Sequence, residues 1–325
     1  MAAIERIGVY GAGAWGLALA LAAARAGREV SVCGRGGAAT SQLTQVRTSP
    51  KLPGVHLPAQ IRVTASSLDL ADCGAILLAV PAQSLRAALV SFPRDLGAKP
   101  LVICAKGIER GTNAFLSEVV AELAPEAPCA CLSGPSFAED VAAGLPTAVT
   151  LAALDEALAA ALCAALHGPA LRLYVSTDLR GVEIGGAAKN VLAIACGVAE
   201  GLGLGASAKA ALVARGFAEL SRFGEAYGAR AETLMGLSGL GDLVLTCTSP
   251  QSRNFAYGVA LGRGARATGG PLAEGADTAQ ALATLAAARG VEMPIARAVA
   301  DVLDGRLGPA EAVRSLLARR LRAEA

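Results

Sequence analysis

A glycine-rich hexapeptide near the start of the chain constrains the fold more than any other feature of the sequence. Residues 11–16, with the sequence GAGAWG, follow a short apolar run and open a helical pattern over 15–26. In this context Gly11 permits a tight turn, Gly13 lets a ligand approach the backbone, and Gly16 allows close helix–strand packing. The unpaired N–H groups at the helix start attract an anion such as a pyrophosphate. The motif therefore predicts a Rossmann-type domain that binds a dinucleotide.

Short apolar runs alternate with helical patterns through the first half of the chain. The runs that predict strands are 7–10, 30–33, 61–63, 75–80, 101–104, 129–132, 148–151 and 171–175. The segments that predict helices between them are 15–26, 84–91, 113–123 and 155–166. Strands that are continuously apolar and separated by helices are typical of a parallel sheet covered on both faces.

The pattern changes near Thr177, and the second half is predominantly helical. Helices are predicted over 181–199, 207–227, 251–262, 278–289 and 295–303, and 243–245 is the one run that resembles a strand. The predicted fold is α/β, with a Rossmann-type, doubly wound, mainly parallel sheet followed by an all-helical second domain. The predicted domains are 1–177, which binds the dinucleotide, and 178–325, which holds substrate and catalytic groups. A cleft between two such domains is a common place for a substrate to meet a cofactor.

Composition excludes several classes of function for the 325 residues. The formal net charge is only +2 and aromatic residues are 3%, so no basic surface or stacking platform for nucleic acid is expected. The uncharged stretch 7–24 is crowded with glycine in its first half, which argues against a signal peptide or membrane span. Two histidines and eight cysteines without a Cys-x-x-Cys pair indicate no metal site and a reducing compartment. We expect a soluble, cytoplasmic protein with a small substrate.

The end of the second predicted strand bears on which dinucleotide is bound. An NAD site usually has an acidic residue there, which holds the ribose 2′-hydroxyl. Here the strand is followed by Arg35 among three glycines, with no acid nearby. A guanidinium can bind a 2′-phosphate through its planar donors. We therefore expect NADP to be used at least as well as NAD; the alternative is that Arg35 is a solvated loop residue.

Lys189 is the candidate for acid–base chemistry. On a helix its neighbours three and four positions away are Gly185, Gly186, Leu192 and Ala193, so it projects from a small, apolar face. Loss of hydration disfavours the charged amine and lowers its pKa, which suits proton transfer with an alcohol oxygen near neutral pH. The alternative is a lysine whose amine extends past the apolar face to solvent.

A second candidate cluster lies between residues 236 and 254. Three glycines precede Asp242, and Ser252, Arg253 and Asn254 follow Pro250 at the predicted start of a helix. Hydroxyl, guanidinium, amide and free backbone N–H groups together can hold a phosphate. The alternative is ordinary capping of the helix by Ser252, which leaves Arg253 without a role.

Two further segments follow predicted strands, at the sheet edge where ligands bind in such folds. Lys106 lies directly after the strand 101–104, and residues 132–138, with the sequence LSGPSFA, follow the strand 129–132. We expect Lys106 to point toward an anion or a nicotinamide rather than toward bulk solvent.

With these motifs in place, the chain resembles the bacterial NAD(P)-dependent glycerol-3-phosphate dehydrogenases. The resemblance rests on 11–16, 105–107, 133–138, 186–191 and 239–254, which occur in the family's order and extend over most of the chain. It implies a Rossmann-type domain followed by a helical domain. It also implies hydride transfer between NAD(P)H and dihydroxyacetone phosphate, which gives the sn-glycerol 3-phosphate used in phospholipid synthesis.

The resemblance also assigns roles to individual residues. Lys189 would be the catalytic proton acceptor in oxidation and the proton donor in reduction. The substrate-binding residues would be Lys106, Gly134, Ser136, Lys189, Asp242, Ser252, Arg253 and Asn254. The cofactor-binding residues would be Gly11, Gly13, Ala14, Trp15, Gly16, Arg35, Lys106, Ala138, Arg253, Leu272 and Glu274. No metal is implied, and Leu272 matches only by its spacing from Glu274.

Two other functions fit parts of the sequence. One is a related two-domain dehydrogenase that acts on a hydroxy acid, whose pocket would bind a carboxylate instead of a phosphate. The other is a non-catalytic NADP sensor, although the joint presence of Lys189, Asp242 and Arg253 argues against the loss of chemistry. The sequence is also compatible with a homodimer, because its alanine-rich helices could form subunit contacts; the alternative is that these helices pack in the interior.

Overall fold

The computed structural model describes residues 3–93, 99–266 and 273–319. The strands are β1 Arg6–Tyr10, β2 Glu29–Cys33, β3 Thr48–Ser49, β4 Leu52–His56, β5 Ile61–Thr64, β6 Ala75–Leu78, β7 Leu101–Ile103, β8 Cys129–Ser133, β9 Thr147–Ala153 and β10 Leu171–Ser176. The helices of the first half are α1 Ala14–Arg25, α2 Gly37–Val46, α3 Leu85–Val90, α4 Leu116–Leu123, α5 Ala138–Ala143 and α6 Glu156–Leu166. Those of the second half are α7 Leu179–Gly201, α8 Gly205–Ala226, α9 Ala231–Met235, α10 Asp242–Thr248, α11 Arg253–Gly262, α12 Glu274–Ala288, α13 Pro294–Leu303 and α14 Pro309–Leu317.

Eight strands form one sheet in the order β10-β9-β8-β7-β6-β1-β2-β5. All neighbouring pairs are parallel except β8 and β9, which are antiparallel. The chain winds outward from β1 in both directions, to β2 on one side and to β6 on the other. The predicted doubly wound, mainly parallel sheet is therefore confirmed. The loops after β1, β2, β6, β7 and β8 meet at one edge of the sheet, because the carboxyl ends of parallel strands share an edge.

Two separate apolar layers cover the sheet. On one face α1 packs with α5 and α6, and eight consecutive residues of α1, from Gly16 to Ala23, are buried. On the other face α3 and α4 pack through side chains such as Leu85, Leu116 and Val119. Strands β6 and β7 are buried at every position, as expected for strands with helices on both faces.

The second half is built around α7, a 23-residue helix that is buried along nearly its whole length. Helices α8, α10, α11 and α12 pack around it. The run 243–245, which resembles a strand in sequence, lies within α10, so that interpretation is wrong. In the described residues α7 alone is long and apolar enough to cross a membrane, and its whole apolar window is buried inside the protein.

Helices α7 and α11 touch backbone to backbone. A Cβ atom added at Gly197 would lie 2.9 Å from the Cα of Gly258, and one added at Gly201 would lie 2.9 Å from the Cα of Gly262. From the first contact to the second, the residue number rises by four on both helices, so the helices run parallel. This register places the first turn of α11 beside the middle of α7, next to Lys189.

Several local features differ from the sequence-based expectation. Helix α2 and the β3–β4 hairpin are additional elements in a stretch without strong apolar periodicity. The helix predicted over 113–123 starts only at Leu116, because Asn113 has a left-handed backbone with φ of 59°. The predicted boundary at Thr177 falls between the end of β10 and the start of α7. The division into two domains, 1–177 and 178–325, remains a prediction.

Candidate active site between the sheet and the helical half

The glycine loop follows β1 at the centre of the sheet edge. Gly11 has φ of +121°, and a Cβ atom there would lie 2.6 Å from the carbonyl oxygen of Ala79. A Cβ atom at Gly16 would lie 1.9 Å from the carbonyl oxygen of Gly11, so the turn and the helix contact require both glycines. At Gly13, in contrast, an added Cβ would meet no atom within 4 Å. The open space above Gly13, at the start of α1, fits the pyrophosphate of a dinucleotide.

The loop after β2 lies next to the glycine loop. The backbone N–H of Gly11 donates to the carbonyl oxygen of Cys33 over 2.9 Å and joins the two loops. Arg35 follows two residues later and is exposed. Ala14 and Trp15 form the first turn of α1, and both are half-buried.

Two lysines and one aspartate form the centre of the site. Lys189, from α7, donates to Oδ1 of Asp242 over 2.7 Å, and Lys106 donates to Oδ2 of the same carboxylate over 2.7 Å. Lys106 also donates to the carbonyl oxygen of Gly134 over 2.9 Å. One carboxylate, fully buried at the start of α10, thus orients two ammonium groups that come from different parts of the chain.

The environment of Lys189 adjusts its acidity. Burial lowers the pKa of Lys189 from 10.5 to about 8, while Asp242 acts in the opposite direction and the positive charge of Lys106 adds to the decrease. An amine with this pKa can both donate and accept a proton near neutral pH. The desolvated lysine expected from its small, apolar neighbours is present in the structure.

Thr246 is a part of this cluster that sequence reasoning missed. Lys189 donates to its hydroxyl oxygen over 2.7 Å, and that hydroxyl lies 3.2 Å from Oδ1 of Asp242. Asp242 and Thr246 are four residues apart on α10 and therefore share a face. The run 243–245 resembles a strand in sequence. On a strand Asp242 and Thr246 have no helical four-residue spacing, so their shared face was not recognised.

A chain of amide hydrogen bonds connects the first turns of two helices. The side chain of Asn254 donates to Oδ1 of Asn190 over 2.9 Å and accepts from the N–H of Gly275 over 2.9 Å. Asn190 in turn donates to the carbonyl oxygen of Lys106 over 3.1 Å. Asn190, which follows Lys189 directly, is a second residue missed from the sequence. These bonds fix the start of α11 relative to Lys106.

The start of α11 has the features predicted for an anion site. Ser252 is the N-cap, and its hydroxyl accepts from the N–H of Phe255 over 3.2 Å, so the capping role is real. Arg253 occupies the first helical position and its side chain is exposed. Capping and anion binding are compatible here, because the cap uses one backbone N–H and leaves the guanidinium available.

The remaining predicted residues lie around the same cleft, with one exception. The hydroxyl of Ser136 donates to the carbonyl oxygen of Gly134 over 3.0 Å, and Ala138 starts α5 two residues later. Glu274, at the start of α12, accepts from the N–H of Ala82 over 3.3 Å and so joins the helical half to the loop after β6. Burial raises the pKa of Glu274. Leu272 lies outside the described residues.

No group of three or more His, Cys, Asp or Glu side chains with metal-binding geometry occurs within the described ranges. All eight cysteines are free thiols, and seven of them are buried. Burial raises the pKa of Cys104 and Cys131, which lie two and three residues from Lys106 and Gly134, and keeps both thiols protonated. A hydrogen bond with Cys196, together with burial, raises the pKa of Cys247, the neighbour of Thr246.

Comparisons with known proteins identify the family of the chain. Residues 6–159 match the model of the NAD-dependent glycerol-3-phosphate dehydrogenase N-terminus, and residues 178–314 match that of its C-terminus. The chain is 59% identical over 325 residues to a Bradyrhizobium glycerol-3-phosphate dehydrogenase (NAD(P)+), with all of both chains covered. It is 59% identical over 328 residues to the enzyme of the same name from Azorhizobium caulinodans, again with full coverage of both.

Solved structures show the same fold. The crystal structure of glycerol-3-phosphate dehydrogenase from Coxiella burnetii matches with a TM-score of 0.90 at 36% identity, and the match covers 97% of this chain and 99% of that one. Both family models and full-length relatives well above 30% identity therefore agree with the resemblance seen in the motifs. The chain belongs to the NAD-dependent glycerol-3-phosphate dehydrogenase family.

Proposed function

We propose that this protein interconverts dihydroxyacetone phosphate and sn-glycerol 3-phosphate with NAD(P)H. The observation that supports this most strongly is the cluster in which the buried Asp242 binds both the buried Lys189 and the largely buried Lys106. It lies between a dinucleotide loop and a helix start that suits an anion. The dehydrogenase class and the use of NAD or NADP, both expected from the sequence, are confirmed by the family and its named members.

Lys189 is the proposed proton donor in ketone reduction. Its ammonium has three N–H bonds, of which Asp242 and Thr246 accept two, so the third is available for a carbonyl oxygen. When bound, the reduced nicotinamide supplies a hydride to the carbonyl carbon. Lys189 then gives its proton to the oxygen, and the positive charge of Lys106 stabilises the oxyanion as it develops. In the oxidative direction neutral Lys189 accepts the hydroxyl proton.

Arg253 and the capped start of α11 are proposed to hold the phosphate. The amide chain through Asn190 and Asn254 fixes this anion site relative to Lys106. A held phosphate sets the distance between the carbonyl group and Lys189, which converts binding energy into correct orientation. Gly134, Ser136 and Ser252 would complete the substrate pocket.

The cofactor pocket is proposed to extend from the glycine loop to Arg35 at the adenosine end and to Ala138, Arg253 and Glu274 at the nicotinamide end. Because Arg35 is exposed and no acid stands beside it, NADPH should be used at least as well as NADH. We further propose a cytoplasmic enzyme that supplies the glycerol backbone of phospholipids, and a homodimer as its working state.

A steady-state assay tests the proposed reaction. The purified protein is offered dihydroxyacetone phosphate, pyruvate and 2-ketopantoate, each with NADPH and with NADH, and loss of reduced-nicotinamide absorbance is followed. Turnover of dihydroxyacetone phosphate at least about 100-fold above the keto acids is expected. A preference for a keto acid would instead support a hydroxy-acid dehydrogenase, and tight NADPH binding without turnover would support a sensor.

Replacement of Arg253, the residue proposed to bind the phosphate, tests substrate binding separately from the chemical step. Arg253→Ala should raise KM for dihydroxyacetone phosphate at least about 10-fold, because a charge-assisted contact to the phosphate is lost. Arg263→Ala, at the other end of α11, is the matched control and should leave KM unchanged. An unchanged KM in Arg253→Ala would place the phosphate elsewhere.

A further inference from the structure

The two hydrogen bonds of Lys189 fix the direction of its third N–H bond. Its Nζ donates to Oδ1 of Asp242 and to the hydroxyl oxygen of Thr246, each over 2.7 Å. Thr246 directs its own proton to the same carboxylate oxygen over 3.2 Å, so both partners of the amine act as acceptors. A neutral amine that keeps these two bonds carries its lone pair in the remaining direction. Deprotonated Lys189 therefore directs a nucleophilic lone pair along the direction proposed above for the carbonyl oxygen.

The surroundings of Lys189 keep a substantial part of this amine neutral near physiological pH. Burial lowers its pKa to about 8, Lys106 adds to the decrease, and Asp242 opposes it. Cys247 on α10 and Glu274 on α12 also interact with the amine, and both favour its charged form. A lysine that is desolvated and lies beside another cation is the type that forms Schiff bases with carbonyl compounds.

Lys106 can supply the proton that such a reaction needs. It donates to Oδ2 of Asp242 over 2.7 Å and to the carbonyl oxygen of Gly134 over 2.9 Å. Within the described residues, one N–H bond of its ammonium remains for another acceptor. The shared carboxylate of Asp242 holds this ammonium next to Lys189. A nucleophile and an acid thus lie side by side in the cleft.

We propose that Lys189 is a site of reversible covalent modification by small phosphorylated ketones and aldehydes when no dinucleotide is bound. The product is an iminium ion in which the carbonyl carbon is bonded to Nζ of Lys189. This modification rests on the proposed function, since Arg253 and the start of α11 would hold the reactant by its phosphate. A phosphorylated ketone without a hydride donor beside it thus meets a nucleophilic amine.

The reaction replaces oxygen by nitrogen on the carbonyl carbon and needs no oxidant or reductant. The lone pair of Nζ forms a bond to the carbonyl carbon, and an electron pair of the C=O bond moves to the oxygen. One proton then passes from the nitrogen to this oxygen, and Lys106 gives it a second proton, so the oxygen leaves as water. The nitrogen lone pair forms the C=N bond of the iminium ion. Addition of water, with return of the proton to Lys106, reverses the sequence.

Three other lysines of the chain have different surroundings. The sequence has five lysines, of which Lys106 and Lys189 lie in the cleft. The remaining three have an ammonium group in water or in contact with an acceptor: Lys51 is exposed, Lys99 donates to the carbonyl oxygen of Cys73, and Lys209 forms an ion pair with Glu200. Selective modification of Lys189 therefore reports on its local environment.

Reductive trapping tests the proposal. The protein without dinucleotide is incubated with dihydroxyacetone phosphate and cyanoborohydride, which transfers hydride to an iminium carbon and leaves a stable secondary amine. Peptide mass spectrometry should show Lys189 modified at least about 10-fold faster than the exposed Lys51. The rate at Lys189 should rise as the pH approaches about 8, because only the neutral amine attacks. Equal rates at the two lysines, or a rate at Lys189 that does not rise with pH, would overturn the proposal.

The dependence on phosphate gives a second readout. Arg253→Ala should slow the modification of Lys189 by subsaturating dihydroxyacetone phosphate at least about 10-fold, because a charge-assisted contact is lost. The same variant should leave modification by glycolaldehyde, which has no phosphate, nearly unchanged. Arg263→Ala, at the other end of α11, is the matched control and should behave like the unmodified protein. Slower modification by both compounds in Arg253→Ala, or by neither, would overturn the proposed phosphate-guided reaction.

Turnover measured on the same preparation separates this proposal from the proposed function. Turnover of dihydroxyacetone phosphate with NADPH, but no adduct at Lys189 without dinucleotide, would overturn the covalent modification alone. An adduct at Lys189 without turnover would support the modification and overturn the proposed reaction. Neither an adduct nor turnover would overturn both.

Discussion

At the scale of single residues, the site depends on one amine whose acidity is set by burial. The small and apolar neighbours of Lys189 in sequence indicate a desolvated lysine, and the structure places this side chain against Asp242 and Thr246. Burial lowers the pKa of the amine while the aspartate limits the decrease. The result is an acid strong enough to give up its proton and still protonated near neutral pH.

The pKa of Lys189 predicts a pH profile. Because the amine must be protonated to reduce a ketone, kcat/KM for dihydroxyacetone phosphate should fall as the pH rises through about 8. Lys189→Ala should lose at least about 100-fold in turnover and also lose this step, while NADPH binding by fluorescence stays within about 2-fold. Lys209→Ala, on the exposed part of α8, is the control. A Lys189→Ala variant with the same pH step would assign the step to another group.

The exposed side chain of Arg35 predicts cofactor preference. Arg35→Ser should raise KM for NADPH at least about 10-fold and leave KM for NADH nearly unchanged, because only NADPH has a 2′-phosphate for the guanidinium. Arg62→Ser, on the edge strand β5, serves as the control for loss of a surface charge. An equal change in KM for NADPH and NADH would show that Arg35 contacts a part that the two cofactors share. No change in either KM would show that Arg35 contacts neither cofactor.

At the scale of elements, the glycines of the loop 11–16 have two different roles. Some are needed for packing inside the protein, and one leaves space for a ligand. Gly11 and Gly16 are required by the protein's own packing, since a Cβ atom at either would collide with backbone oxygen. Gly13 faces open space, so nothing inside the protein requires a glycine there. The structure therefore distinguishes Gly11 and Gly16, which build the turn, from Gly13, where the proposed pyrophosphate would approach the backbone.

This distinction predicts opposite phenotypes for two similar substitutions. Gly13→Ala should keep the Tm of the ligand-free protein within about 2 °C but weaken NADPH binding at least about 10-fold. Gly16→Ala should lower the Tm markedly, because the added methyl group forces α1 away from β1. Thermal unfolding and NADPH titration of both variants measure the contrast. Equal destabilisation by the two substitutions would contradict it.

Sequence patterns predicted most of the helices and strands, because burial determines where apolar residues must stand. The incorrect predictions also have a physical cause. Fully buried strands such as β6 and long helices such as α7 give unambiguous patterns, because burial demands apolar residues at every position or at every turn. The run 243–245 is too short to separate strand from helix, and only the packing of α10 against α7 decides it. The antiparallel direction of β9 depends on how the chain returns across the sheet, which local sequence does not encode.

At the scale of the whole molecule, a buried carboxylate joins the sheet to the helical half. Glu183, near the start of α7, accepts from the N–H of Ser117 over 2.8 Å and from its hydroxyl over 2.7 Å. Ser117 lies in the first turn of α4, which packs on the sheet. Burial raises the pKa of Glu183, and the nearby Arg180 acts in the opposite direction. This contact, together with Glu274, defines how the two halves enclose the cleft.

Removal of this contact should weaken the whole fold. Glu183→Ala should lower the free energy of unfolding by about 3 kcal/mol, since it leaves buried donors without an acceptor. Glu183→Gln, which keeps an acceptor and adds no charge, should lose less. Glu29→Ala removes an exposed ion pair with Arg6 and should cost less than about 1 kcal/mol. Urea unfolding of the three variants gives the order, and a small loss in Glu183→Ala would contradict the role.

Long-range contacts explain why the sequence could indicate these candidate residues but not their arrangement. Lys106, Lys189 and Asp242 are separated by more than fifty residues from one another, and nothing in the local pattern shows that one carboxylate binds both amines. Asn190 and Thr246 lie inside segments that carry the family resemblance, but their own roles become visible only through their hydrogen bonds. The motifs thus indicate which residues are candidates for the site, and the fold determines how these residues are arranged.

The glycine contact between α7 and α11 has a consequence for substrate size. Lys189 lies on α7 and Arg253 starts α11, and the two helices meet through Gly197, Gly258 and their neighbours without intervening side chains. The spacing between the backbones that carry Lys189 and Arg253 is therefore set by main-chain contact, and only the two side chains can adjust the remaining reach. If the two residues act as proposed, this spacing limits the number of carbons between a carbonyl group and its phosphate, and a ketone one carbon longer should react more slowly.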